Sequence, residues 1–298
     1  MSLIDPNPRP LGPFSVGRVS LGTWRFVADA VGRGQELIES AIEHGCNLVD
    51  CADVYGFDWG GTGFGTVEAS LGEVLAAAPH LRDQIVLATK GGIMPPLPYD
   101  QSAGYIRSAV DASLSRLQVD VIDLYQIHRP DLFTHPAELA GVLDELRTAG
   151  KIREIGVSNF TVSQISALQA HLEAPVVSSQ PEFSAAHLDP LFDGQFDQCA
   201  EHDIAPLAWS PLAGGRLATG NDLPPDLVAV LDRLAEREGV DRATIALAFV
   251  LAHPTRPVAI IGTMKPERIA ASAAAVRVEL DRNDCYDIIE ASRGEPMP

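Results

Sequence analysis

The sequence predicts a closed (β/α)8 barrel. Three observations carry that prediction. Eight short apolar runs alternate with longer amphipathic stretches. Glycines stand where helices must stop before strands. Polar residues gather at the C-terminal ends of the apolar runs, the face where a barrel carries its chemistry.

The strands are expected at Arg18–Leu21, Asn47–Asp50, Ile85–Lys90, Val121–His128, Ile152–Val157, Val176–Gln180, Ala205–Trp209 and Val258–Ile261. Between them, GQELIESAIEHG, YIRSAVDASLSRLQ, PAELAGVLDELRTAG and DLVAVLDRLAEREG place apolar residues three and four positions apart, the spacing of one buried helix face. Gly45 and Gly150 follow helical runs and precede strands, as C-terminal caps do. Thr161 and Gln164 have the spacing of a capping box. The proline-rich residues before Arg18 suit a small hairpin plugging the barrel's bottom, and residues 281–298 add a final outer helix. An open doubly wound sheet would need its glycine-rich turn directly after the first strand. The stretch GGTGFG at 60–65 instead follows the second, and reads as a long βα loop. No linker or low-complexity segment divides the chain, so residues 1–298 are expected to form one domain.

A hydrophobic content of 46% and a charged content of 21% suit a soluble globular protein. The net charge of −18 repels nucleic acid and anionic membrane surfaces, so neither is expected as a partner. Cys46, Cys51, Cys199 and Cys285 show no metal-ligand spacing, and no metal is expected. The N-terminus MSLIDPNPRPLGPF lacks a signal-peptide pattern, and no apolar run is long enough for a transmembrane helix; a cytoplasmic location is the expectation.

The strand ends supply Gly22-Thr23-Trp24, Asp50 with Tyr55 just beyond, Lys90, His128, Ser158-Asn159, Gln180, Trp209-Ser210 and Gly262-Thr263. Strand alternation puts Lys90 on the same side as Val86 and Ala88, and His128 with Leu124 and Gln126. An acid, a phenol, an ammonium and an imidazole at three neighbouring strand ends form a coherent set. A free phenol has a pKa near 10. An adjacent ammonium favours phenolate, and an acid would hold that ammonium in place. Such a group can protonate an oxygen as it becomes an alkoxide, which is half of a carbonyl reduction; the other half is a hydride source.

These residues resemble motifs of the aldo-keto reductase superfamily. Asp50-Cys51-Ala52-Asp53-Val54-Tyr55-Gly56 is similar to D-T-A-x-x-Y-G. Val86-Leu87-Ala88-Thr89-Lys90 is similar to the family's lysine strand, and Asp123 to Pro130 to D-L-x-x-x-H-x-P. Gly156-Val157-Ser158-Asn159-Phe160 is G-V-S-N-F, Trp209-Ser210-Pro211-Leu212 resembles Y-S-P-L, and Ile261 to Arg268 resembles the final phosphate segment. The resemblance implies a nicotinamide-dependent reductase of an aldehyde or ketone, with Asp50, Tyr55, Lys90 and His128 as the catalytic tetrad and Tyr55 as general acid. It implies Ser158, Asn159 and Gln180 on the carboxamide, Trp209 on the nicotinamide ring, and Ser210, Leu212, Gly214 and Arg216 along the pyrophosphate. Thr23 and Asp50 complete the cofactor set at one end, and Gly262, Thr263, Lys265 and Arg268 at the phosphate end. Lys265 and Arg268 in so acidic a chain point to NADPH, with NADH the other possibility. Cys51 replaces the usual Thr, Gly262 a common Lys, and Ala271 and Ser272 the Glu and Asn of many members. Trp24, Phe57, Trp59 and Arg129 are expected to line the substrate pocket. Two other readings stand beside this one: a Schiff-base lyase using Lys90, and a non-catalytic cofactor-binding regulatory subunit.

Overall fold

A computed structural model describes residues 2–26, 31–57 and 60–298. The chain opens with a hairpin of β1 (Arg9–Leu11) and β2 (Phe14–Val16). There follow β3 (Val19–Gly22), α1 (Val31–Glu43), β4 (Leu48–Asp50), α2 (Thr66–Ala77), β5 (Val86–Gly91) and α3 (Ala103–Leu117). Next come β6 (Ile122–Ile127), α4 (Pro136–Thr148), β7 (Ile152–Ser158), α5 (Val162–Gln169) and β8 (Val176–Gln180). The chain continues with α6 (Gln195–Glu201), β9 (Ala205–Ala208), α7 (Arg216–Thr219), α8 (Pro225–Glu238) and α9 (Arg242–Leu251). It ends with β10 (Val258–Ile261), α10 (Pro266–Ala273) and α11 (Arg282–Arg293). Strands β3 to β10 close into a parallel barrel, β10 pairing with β3. Closure rules out the open sheet.

Alternation sorts each strand into two environments. Leu48, Val86, Ala88, Leu124, Leu207, Val258 and Ile260 pack together inside the barrel. Leu11 and Val16 of the hairpin join that cluster and seal its floor. The hairpin is anchored by a buried guanidinium, Arg9, which donates to Asp203 at 2.8 Å. The outward residues Val49, Leu87, Tyr125 and Ile127 pack against Ile38, Leu71, Ile106 and Leu143 of the surrounding helices. Burying each such side chain contributes about 1.5–3 kcal/mol. The helix signals read from the sequence are present in the structure. Gly45 and Gly150 have φ of 74° and 75°, and Thr161 with Gln164 forms the capping box at the start of α5.

The register decides what can meet at the barrel's mouth. Asp50 lies opposite Ala88, Lys90 opposite Gln126, Gln126 opposite Gly156, and Ser158 opposite Gln180. Residues far apart in sequence thus share one interior layer. A cavity of about 760 Å³ lies at the other end of the barrel, beside β2 and the N-terminal ends of β5, β6 and β7. Its arginines, Arg82 and Arg153, both pair with Asp123. No helix among the described residues is long and apolar enough to cross a membrane.

Candidate active site

The segment after β4 continues the strand pairing and then turns. Cys51 N–H donates to Ala88 O at 2.8 Å and Asp53 N–H to Lys90 O at 3.0 Å. The turn returns through Gly65 N–H to Asp53 O at 2.7 Å and Val67 N–H to Tyr55 O at 3.3 Å. Gly56 has φ of 95°, and a Cβ there would lie 2.6 Å from Thr66 Cβ, so the residue after Tyr55 has to be glycine. This geometry brings Tyr55 back over the end of β5.

Lys90 is fully buried and spends its ammonium on three acceptors: Asp50 Oδ2 at 2.6 Å, Cys51 O at 2.8 Å and Tyr55 Oη at 3.3 Å. Burial alone would lower its pKa; Asp50 and Tyr55 outweigh burial and raise it above the ordinary lysine value. Tyr55 is half-buried. Burial pushes its phenol up, Lys90 pulls it down, and Asp50 pushes it up again, so the pKa ends above the ordinary 10.0. The sign expected for Lys90 is present, but desolvation is the larger effect. His128 stands edge-on to Tyr55, ring centroids 5.8 Å apart at 80°. Burial, then Lys90 and Arg129, hold its imidazole well below the ordinary 6.5, so the ring is neutral at neutral pH. Its Nδ1 is buried with no hydrogen-bond partner among the described residues.

A second chain of contacts runs along β7, β8 and β9. Ser158 Oγ donates to Gln180 O at 3.1 Å. Asn159, at φ 59°, donates through Nδ2 to Ser158 Oγ at 2.9 Å and to His128 O at 3.2 Å. Trp209 Nε1 donates to Asn159 Oδ1 at 2.9 Å, which fixes the half-buried indole plane. Ser210 Oγ accepts from Gly214 N–H at 3.1 Å. Leu212 is half-buried. Arg216 donates to the carbonyls of Ala213 at 3.1 Å and Asp222 at 3.4 Å, holding its own loop in shape. Thr23 is fully buried, and its Oγ1 and N–H both donate to Asp50 O, at 3.0 and 2.9 Å.

Around β10 the surface is open. Added Cβ atoms at Gly214 and Gly262 would meet nothing within 4 Å. Thr263 Oγ1 accepts from Lys265 N–H at 3.3 Å. The side chains of Lys265 and Arg268 are exposed, and among the described residues neither has an ion-pair partner. A fixed aromatic plane, side-chain amides, uncrowded glycines and two free cations match the parts of a nicotinamide dinucleotide, so the residues fit such a group.

Of the expected substrate residues, Trp24 and Phe57 are 45% and 49% exposed at the rim. Arg129 is half-buried, and its guanidinium has no acid partner among the described residues. Trp59 lies outside the described residues. The expectations passed over two features. Gln126 is fully buried in the interior layer and reaches Asp50 Oδ1 at 2.9 Å. Its inward parity with Leu124 and His128 was the available signal. Behind β5, Asp53 is fully buried, and neither carboxyl oxygen is hydrogen-bonded among the described residues. Glu68 beside it accepts from Thr89 Oγ1 at 2.5 Å and Arg116 Nε at 2.7 Å.

Comparison with known proteins places this geometry among relatives. The model of the Aldo/keto reductase family matches residues 18–293. A 6-dehydroglucose reductase of Novosphingobium aromaticivorans is 47% identical over 304 residues, covering 99% of this chain and 98% of that one. A 6-dehydroglucose reductase of Agrobacterium fabrum is 36% identical over 294 residues, covering 95% and 96%. The structure of glycerol dehydrogenase from Gluconobacter oxydans superposes with a TM-score of 0.82 at 27% identity, covering 98% of both chains.

Proposed function

Because this chain belongs to the aldo/keto reductase family, we propose that it reduces the aldehyde of a sugar, of the 6-dehydroglucose kind, with NADPH and with Tyr55 as general acid. The chain is an oxidoreductase of carbonyl and alcohol groups, and its family works with nicotinamide coenzymes. The observation that carries the catalytic assignment is the buried Lys90, bonded at once to Asp50 and Tyr55.

A bound nicotinamide coenzyme supplies the hydride. Tyr55 and the neutral His128 face the position where a carbonyl oxygen would accept hydrogen bonds. As negative charge develops on that oxygen, Tyr55 releases its proton to it. The Lys90 ammonium, 3.3 Å from Tyr55 Oη, stabilises the phenolate left behind. Asp50 keeps Lys90 charged and in place. Alcohol oxidation runs the same proton in reverse and needs phenolate at the start. Lys265 and Arg268 support the choice of NADPH, since two cations at the start of α10, without ion-pair partners among the described residues, suit the extra phosphate. The sugar is supported by the two relatives of that activity. Exposed aromatic rings at Trp24 and Phe57, with a guanidinium at Arg129 that has no acid partner among the described residues, suit a polyhydroxylated substrate.

The lyase reading fits poorly. A Schiff-base lysine must be neutral and reachable, whereas Lys90 is fully buried and its pKa is raised. The regulatory-subunit reading is separated by turnover. Purified protein should consume NADPH with 6-dehydroglucose, read as loss of the reduced coenzyme's absorbance. Tyr55→Phe should lower that rate about 10²–10⁴-fold while coenzyme binding stays near normal. Retention of more than about half the activity would reject Tyr55 as the acid.

A further inference from the structure

The family motif leaves the position two residues before His128 open, and here it is Gln126. The register sets Gln126 beside Lys90 on one strand and Gly156 on the other. Its Nε2 donates to Asp50 Oδ1 at 2.9 Å. Gln180 Nε2 donates to the same oxygen at 3.2 Å and to Gln126 Oε1 at 3.3 Å. Asp50 thus gives one oxygen to Lys90 and the other to two amides. The room for this is specific. A Cβ on residue 156 would lie 2.9 Å from Gln126 Cγ and 2.2 Å from Ser178 Oγ.

Two consequences follow from hydrogen-bond inventory. The amide donors neutralise part of the Asp50 charge, leaving less of it to oppose ionisation of Tyr55. The Gln180 amino group is committed inside the barrel, which turns its carbonyl oxygen to the mouth as an acceptor. On the functional reading above, that oxygen faces the coenzyme's carboxamide. We propose that Gln126 is a positioning residue: it sets the effective charge of Asp50 behind the Lys90–Tyr55 pair and fixes which end of the Gln180 amide meets the coenzyme. The titratable groups around it are Asp50 from β4, Lys90 from β5 with Tyr55 beyond, and His128 past the end of its own strand. Strands β7 and β8 face it with Gly156, Ser178 and Gln180, which carry no charge.

The test uses wild type, Gln126→Leu and Gln126→Glu. Gln126→Leu should lower kcat for alcohol oxidation about ten- to hundredfold, the loss typical of one bond to a buried charge. It should also move the acidic limb of that pH profile, where the rate rises as Tyr55 ionises, to higher pH and weaken coenzyme binding several-fold, read by quenching of tryptophan fluorescence. Its melting temperature should fall only modestly, because Leu fills the volume and Gln180 still donates to Asp50 Oδ1. Gln126→Glu should recover activity as the pH is lowered, when its protonated carboxyl again donates to Asp50. A residue that only packs would move neither the pH limb nor the coenzyme affinity. Wild-type values for both in Gln126→Leu overturn the proposal. If Gln126→Leu does not fold, a Gln126→Glu profile parallel to wild type overturns it instead. A wild type that turns over no carbonyl or alcohol with either coenzyme refutes the functional reading, and this proposal with it. Active wild type beside an unaltered variant refutes this proposal alone.

Discussion

Asp53 offers a measurement of electrostatics inside the fold. It lies two residues before Tyr55, fully buried, with no hydrogen-bond partner for either carboxyl oxygen among the described residues. Burial first, and repulsion from Glu68 second, raise its pKa well above the ordinary 3.8; Arg116 opposes them and loses. The unfolded chain ionises near the ordinary value. Between the two pKa values the folded state binds one more proton than the unfolded state, so stability falls as pH rises through that window. The slope for one such group is about 1.4 kcal/mol per pH unit. Asn has the same shape and does not titrate. The difference in unfolding free energy, Asp53→Asn minus wild type, should therefore grow as pH rises above about 5, at up to about 1.4 kcal/mol per pH unit until the folded carboxyl ionises. Any constant cost of replacing the acid cancels in the slope, as do the other titrating groups. Urea unfolding followed by circular dichroism at three pH values across this range would measure it. A difference independent of pH would mean that Asp53 is ionised in the folded protein, and the argument from burial would fail.

Lys90→Met should slow both directions and shift the acidic limb of alcohol oxidation to higher pH, because the phenolate loses its neighbouring charge; an unchanged profile would make Lys90 purely structural. Arg268→Ala should weaken NADPH binding by about 1–3 kcal/mol and NADH binding much less, as a lost charge-assisted contact to the extra phosphate requires. Fluorescence titration of both coenzymes decides that, and equal weakening would reject the phosphate assignment.

The barrel was legible because each strand announces itself locally. Runs such as Ile122–Ile127 are apolar, bounded by polar turns, and followed by helices with their own caps. The positions of Asp50, Lys90 and His128 were legible for the same reason: each sits at or just beyond the end of such a run. Gln126 was not, because its meaning depends on register. Its partners Asp50 and Gln180 lie 76 and 54 residues away, and a polar residue in a strand looks alike whether it faces water or a carboxylate. The balance at Tyr55 was misjudged in part for a related reason. The sequence offers the ammonium but not the depth of the site, and burial proved the stronger influence. Arg216 matched a motif position, yet the atoms it contacts are backbone carbonyls of its own loop, which no spacing rule encodes.

The hairpin floor has a bearing on water. Leu11 and Val16 stopper the interior with apolar side chains, so the layer holding Asp50, Lys90, Gln126 and Gln180 sits in a vessel with one opening. Anything that settles across the mouth becomes its lid and removes what water remains above the already buried Lys90 and Asp50. The strength of the Lys90–Asp50 attraction, and of the pull on the Tyr55 proton, is then set by the occupant as much as by the protein.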